Sequence, residues 1–344
     1  MSNPQKIGEA ARKAYTAGKY VAAAEGYEKL AVHLADPAKA YLRAALCAAL
    51  SGNLGETIRL FEIYFWSKDS PSVADLNDLL NFYHQTGQRE RVAEAVERRY
   101  PSPIGDQHEA KLNRQAMVFA LPKSAGTSVV QTLAETLGVR HVASGSDDLR
   151  APGYSASVLE PELLRRLSGR QILHQTHAMP WQENMEQLRR HGYPKFIVHL
   201  RDPRDALLSY YYMAENYELH RLRLLMQCPD YDRFDLSARM RFLIRTVYPV
   251  FLEWIIGWVA AADALSDRAT VTSFERFKEE PESFFKHLTF FLSGKNSPLA
   301  PIKKIHFRKG KSGQTDDPLL PPSIREELYQ HIPTELSRRF GWKV

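Results

Sequence analysis

Cysteine is nearly absent: only Cys47 and Cys228 occur in 344 residues, far apart and in no CxxC or CxxH spacing. That excludes a disulfide framework, gives no zinc-site pattern, and suits a reducing cytoplasm, the location expected here. No carboxylate cluster with metal-ligand spacing is visible either, so no metal is expected. The first residues, MSNPQKIGEAARKAY, lack the apolar core of a secretory leader. The most apolar later run, Phe251 to Leu265, is interrupted by Glu253 and Asp263 and falls short of a bilayer span, so no membrane span is expected. Charge of one sign is not dominant: the formal net charge is +6. Residues 1–110 carry 13 Lys+Arg against 14 Asp+Glu, and the remainder 33 against 26, so the basic excess lies in the second part. An anionic ligand there fits. No nucleic-acid motif and no basic stripe interleaved with aromatics appears, so nucleic acid is not an expected partner.

What is present first is helix. From Ile7 to about Pro101 the chain is alanine-rich and apolar at helical spacing. Turn glycines recur at Gly18, Gly52 and Gly87, 34 and then 35 residues apart, each between two helical patterns. This resembles the tetratricopeptide repeat, whose unit is an antiparallel helix pair of 34 residues, although a plain helical bundle remains open. Residues 1–101 are therefore expected to form an all-α, repeat-like domain. Stacked repeats hold peptides or protein segments, so a protein or peptide partner is one expectation. The other is that the aromatics of FEIYFW, Phe61 to Trp66, are packing. Residues 102–115, with Pro103 and Gly105, read as a linker.

Residues 116–344 then alternate strand and helix, which predicts an α/β domain: a parallel sheet flanked by helices, with ligands at the carboxyl ends of the strands. The expected elements include a helix Ser128 to Gly138 and strands near Arg140 to Ala143 and Gln171 to His177. Helices at Pro161 to Leu167 and Gln182 to His191, a strand ending at Arg201, one long helix Arg239 to Ala262, a strand Thr270 to Phe274 and a helix from Pro281 complete the set.

Ala116 to Leu137 reads AMVFALPKSAGTSVVQTLAETL: an apolar strand, a small-residue turn from Pro122 to Ser128, then a helix. Such a turn aims backbone N–H groups, a helix dipole and Lys123 at one centre, which is a way to hold a phosphate. Gly126 permits close backbone approach, and Thr127 and Ser128 add hydroxyls. The lysine precedes Gly126, unlike the nucleoside-triphosphate loop G-x-x-x-x-G-K-[ST], where it follows the second glycine. Lys195 to Asn216, KFIVHLRDPRDALLSYYYMAEN, is a second strand-turn-helix, with Arg201 at the strand end and Ser209 on the helix able to converge on an anion.

PKSAGTS resembles the 5′-phosphosulfate loop of sulfotransferases, P-K-[ST]-x-G-T-[ST]. RDPRDALLSYY is similar to their 3′-phosphate motif, R-[ND]-P-[RK]-D-x-x-x-S-x-Y. FRKGKSG, Phe307 to Gly313, is similar to their R-K-G-x-x-G loop, and Thr176-His177 matches the K-T-H-x-P segment, with Gln175 in place of the lysine. The resemblance implies a sulfotransferase using 3′-phosphoadenosine 5′-phosphosulfate to sulfate a hydroxyl or amine by in-line displacement. By the same resemblance Lys123 and His177 are catalytic, His177 as general base. Lys123, Ser124, Ala125, Gly126, Thr127, Ser128, Arg201, Ser209, Phe274, Arg308, Lys309 and Gly310 hold the donor. Phe274 takes the place of a family aromatic near adenine, and Val129 replaces a tryptophan that stacks it. The acceptor class, whether carbohydrate, lipid, peptide or small molecule, is left open. The rivals are an ATP-dependent kinase and a non-catalytic repeat scaffold.

Overall fold

The computed structural model describes residues 3–68, 116–143, 171–191, 195–216, 230–303 and 320–342, with isolated positions between them. Two compact units result: Met1–Pro101 with Asn216–Asp232, and Ser102–Glu215 with Arg233–Val344. The segment Asn216–Asp232, which the sequence leaves in the second domain, groups with the first unit.

In the first unit α1 (Pro4–Thr16), α2 (Tyr20–Ala31), α3 (Ala38–Leu50) and α4 (Leu54–Trp66) pack each on the next. The turns α1–α2 and α3–α4 carry Gly18 (φ 70) and Gly52 (φ 76), left-handed positions that a side chain would strain. Small residues bring the helices close: a Cβ at Gly26 would lie 2.8 Å from that of Ala11. Asn53 caps α4 by accepting from Glu56 N–H at 3.1 Å. Phe61, Tyr64 and Phe65 of FEIYFW are buried. Gly87 lies outside the described residues.

The second unit is built on a five-stranded parallel sheet: β1 (Ala116–Ala120), β2 (Arg140–Ala143), β3 (Ile172–Thr176), β4 (Lys195–Leu200) and β5 (Ala269–Ser273), in the order β2-β3-β1-β4-β5. β1 and β4 are entirely or almost entirely buried, as continuous apolar runs in a two-sided parallel sheet require. Helices α5 (Gly126–Leu137), α6 (Gln182–Arg190), α7 (Pro203–Asn216), α8 (Leu236–Thr246) and α9 (Tyr248–Ala264) follow, then α10 (Phe274–Glu279), α11 (Pro281–Ser293), α12 (Pro322–Tyr329) and α13 (Thr334–Phe340). On one face Val118, Leu173 and Ile197 pack with Val129, Val130 and Leu133 of α5 and Phe284, Phe285 and Leu288 of α11. On the other, Phe119 stacks on Trp258 of α9 at 3.6 Å between ring centroids.

The single long helix expected from Arg239 to Ala262 is instead two, α8 and α9. Pro249 has no N–H for the Arg245 carbonyl and crowds the turn before it, so the helix restarts at Tyr248. Phe274 begins α10 rather than ending β5. The expected helix Pro161 to Leu167 falls mostly outside the described residues. Leu236–Ala264 is long and apolar enough, by length and composition alone, to cross a membrane. In this fold Trp254, Ile255 and Trp258 are buried, as in the core helix of a sheet protein.

Candidate active site

β1 lies between β3 and β4, so the residues that follow their carboxyl ends meet: the turn Leu121–Ala125, His177 and Arg201. The turn is tight because Ser124 donates both its N–H and its Oγ–H to the Leu121 carbonyl, at 3.1 and 2.6 Å. Leu121 N–H donates to the His199 carbonyl at 2.8 Å. Lys123 (φ 66) and Ala125 (φ 64) take left-handed backbone, which costs a residue with a side chain roughly 1–2 kcal/mol. α5 starts directly after them, and no side chain among the described residues caps it. By helix geometry the N–H groups of Gly126, Thr127 and Ser128 have no carbonyl one turn back, and they carry the positive end of the helix dipole. Gly126 is required: a Cβ there would lie 2.5 Å from that of Ala120 and 3.3 Å from Gln175 Nε2.

Lys123 is half-buried, with Nζ 3.5 Å from Met213 Sδ. Burial, and then the Arg201 charge, hold its pKa below the usual lysine range. Arg201 is buried and donates from Nη1 to the Lys123 carbonyl at 3.0 Å, while Nη2 lies 3.7 Å from Asp205. Its guanidinium sits 4.4 Å over the Phe274 ring, and its Nε is buried without a partner among the described residues. Asp205, Ser209 and Met213 are spaced by four on α7 and so share one helix face. Asp205 meets Arg201 and Met213 meets Lys123, which puts half-buried Ser209 on the face turned to the site.

His177 is half-buried, and its Nδ1 lies 2.6 Å from the Ala120 carbonyl. A carbonyl only accepts, so Nδ1 carries the hydrogen and Nε2 is the basic nitrogen of the neutral ring. Burial lowers the ring's pKa, the bond to Ala120 works against that, and the Lys123 charge adds to the lowering. The segment behind the ring is fixed by α9: Trp254 and Trp258 donate their indole N–H to the carbonyls of His177 (3.1 Å) and Ala178 (2.8 Å). Gln175 is buried, with its amide beside Gly126.

Some expected residues stand elsewhere. Ser124 is fully buried with its hydroxyl on Leu121, so it shapes the turn rather than offering a side-chain donor to an anion. Phe274 is buried in the apolar cluster, one ring face covered by Arg201, and Val129 is core of the same cluster. Thr127 is exposed and Ser128 half-buried at the start of α5. Arg308, Lys309 and Gly310 lie outside the described residues. The chain before them runs along α5 toward its N-terminal end: Ala300 N–H donates to Thr136 Oγ1 (3.1 Å) and Lys303 N–H to Thr132 Oγ1 (3.0 Å). The sequence reading missed Asp205, Met213, His199 and the two tryptophans. Of these only Asp205 and Met213 carried a signal, the four-residue spacing from Arg201 through Ser209.

A family profile described as the sulfotransferase domain matches residues 113–336, well over half of the chain. No curated protein matches the sequence. Among solved structures, a sulfotransferase from Alicyclobacillus acidocaldarius is similar at 16% identity, over 68% of this chain and 98% of that one, with a TM-score of 0.43. On the family match, this chain belongs to the sulfotransferase-domain family.

Proposed function

We propose that the second unit transfers a sulfuryl group from 3′-phosphoadenosine 5′-phosphosulfate to a hydroxyl or amine acceptor by in-line displacement. The observation that carries this reading is the convergence of Lys123, Arg201 and His177 around the uncapped start of α5. The residues fit a doubly anionic nucleotide: Gly126 lets the start of α5 sit directly on Ala120 and Gln175, so that its N–H groups face away from the sheet, and Arg201 keeps a buried N–H without a partner among the described residues. When bound, that nucleotide supplies an activated sulfuryl group whose leaving group is the 5′-phosphate.

Lys123 and the N–H groups of Gly126, Thr127 and Ser128 would hold the 5′ end and stabilise negative charge as it builds there. Arg201 and Ser209 would hold the 3′-phosphate, with Arg308, Lys309 and Gly310 completing that side as the resemblance implies. Phe274 acts through Arg201, by fixing the guanidinium plane. The acceptor proton goes to His177 Nε2, and Ala120 holds the ring in the tautomer able to take it.

Calorimetric titration with 3′-phosphoadenosine 5′-phosphate, AMP and ATP tests this on wild type and Arg201→Ala. The bisphosphate should bind at least about 10-fold more tightly than AMP, and Arg201→Ala should remove that preference, since a charged hydrogen bond contributes about 1.5–3 kcal/mol. Preference for ATP would move the reading to a kinase, and no nucleotide binding to a scaffold.

A further inference from the structure

We propose that His199, which takes no part in the chemistry above, is the positioning residue that sets the turn Leu121–Ala125 in its anion-binding form. Its side chain is fully buried near the carboxyl end of β4. Nε2 lies 2.8 Å from the Ser124 carbonyl, so Nε2 carries the hydrogen and donates it. Nδ1 lies 3.0 Å from Thr272 Oγ1 on β5 and accepts from that hydroxyl, while the residue's own carbonyl receives Leu121 N–H. One residue of β4 thus grips the turn at both ends.

The grip has a directional consequence. Ser124 stands between the two left-handed residues, Lys123 and Ala125. In a trans peptide the C=O and the following N–H point oppositely, so drawing the Ser124 carbonyl inward onto His199 turns Ala125 N–H outward. That is the side on which the free N–H groups of α5 begin. A neutral ring is needed, with its single hydrogen on Nε2. The groups that meet the ring, Ser124 from the turn, Thr272 from β5 and Phe284 edge-on from α11 at 5.7 Å, are uncharged. Burial lowers its pKa to about 4.

The test compares full-length wild type, His199→Leu and His199→Gln by hydrogen exchange of the backbone amides in residues 121–128. Calorimetric titration with 3′-phosphoadenosine 5′-phosphate accompanies it. Leucine leaves the Ser124 carbonyl buried without a donor, so amide exchange in the turn should accelerate and bisphosphate affinity should fall, each about 10-fold or more. Glutamine can return an amide N–H and should keep both within about 3-fold of wild type. The acid limb of any turnover, set by His177, should not move. If His199→Leu does not fold, Thr272→Val decides, because it removes the hydroxyl that orients the ring and should accelerate exchange in the turn. Wild-type exchange in the variant that decides, or equal impairment by leucine and glutamine, would overturn the proposal. The affinity arm rests on the donor-site reading; if wild type binds no bisphosphate that reading fails, and exchange alone decides the role of His199.

Discussion

At the scale of single residues, the role proposed for His177 rests on two nitrogens with different tasks, one tied to Ala120 and the other basic. His177→Ala should therefore lower kcat about 10²–10⁴-fold while leaving bisphosphate affinity within about 3-fold, since only proton transfer is removed. Because burial depresses the ring's pKa, the acid limb of the kcat profile should fall below ~6.5, the unperturbed histidine value. An acid limb above that value, or loss of bisphosphate binding in the variant, would assign His177 a structural role. That Lys123 and Arg201 would meet was legible in the sequence, because one charged side chain lies in a small-residue turn and the other ends a strand, whereas His177 was marked through the resemblance of Thr176-His177 to a family segment. The part Ser124 plays in its loop was not legible, because the spacing of a turn does not say which way a hydroxyl points, and here it points at Leu121. His199 was hidden because strand alternation could equally have placed it on either face of a sheet covered on both sides.

Among elements, α9 does what a flat reading of its apolar pattern does not reveal. Gly257 lies against Pro180, where an added Cβ would come within 2.3 Å of Cγ and 2.9 Å of Cβ. The helix backbone therefore approaches the His177–Pro180 segment while the neighbouring tryptophans hold its carbonyls. Gly257→Ala should destabilise the second unit by roughly 1–3 kcal/mol through overpacking. It should also lower kcat more than donor affinity, because it displaces the strand end that bears His177 but not the turn at Lys123. Urea unfolding followed by tryptophan fluorescence, together with bisphosphate titration, checks both; an affinity loss as large as the kcat loss would refute the separation. Gly126→Ala should do the reverse, because its Cβ would strike Ala120 beneath the turn. Donor affinity should drop about 10-fold or more if steric strain of that order distorts the turn, and titration reads it directly. The strands and the alternation of the second unit were legible from apolar runs ending at polar turns. The break at Pro249 was not, because the apolar period of α8 continues into α9 and masks the proline, and α12 and α13 carry too few apolar residues to announce themselves.

Across the whole molecule, six described histidines of the sheet unit, His141, His174, His177, His191, His199 and His287, are held below the usual range, each first by burial. His174 falls to about 3 and His199 to about 4. In the unfolded chain these rings take up protons near ~6.5, so between that pH and the folded values the unfolded state binds more protons. Their contribution is complete above ~6.5 and is lost as pH falls through the window down to about 4 for His199 and about 3 for His174. Glu275 acts oppositely: burial raises its pKa, so it takes up its proton first in the folded state and returns some stability on acidification. One carboxyl does not offset six rings. At pH 5 each of the two deeply buried rings should have removed roughly 2 kcal/mol. Four of the five tryptophans, Trp181, Trp254, Trp258 and Trp342, belong to this unit, and Trp66 alone to the other. Tryptophan fluorescence in urea at pH 7.5 and pH 5 therefore reads mainly the unit that holds the site. The midpoint should fall steeply between the two, and less steeply in His199→Gln, which has no ring to charge. A flat response would mean that these rings are solvated enough to take up protons in the folded state, and with it the neutral ring that grips the Ser124 carbonyl would be lost.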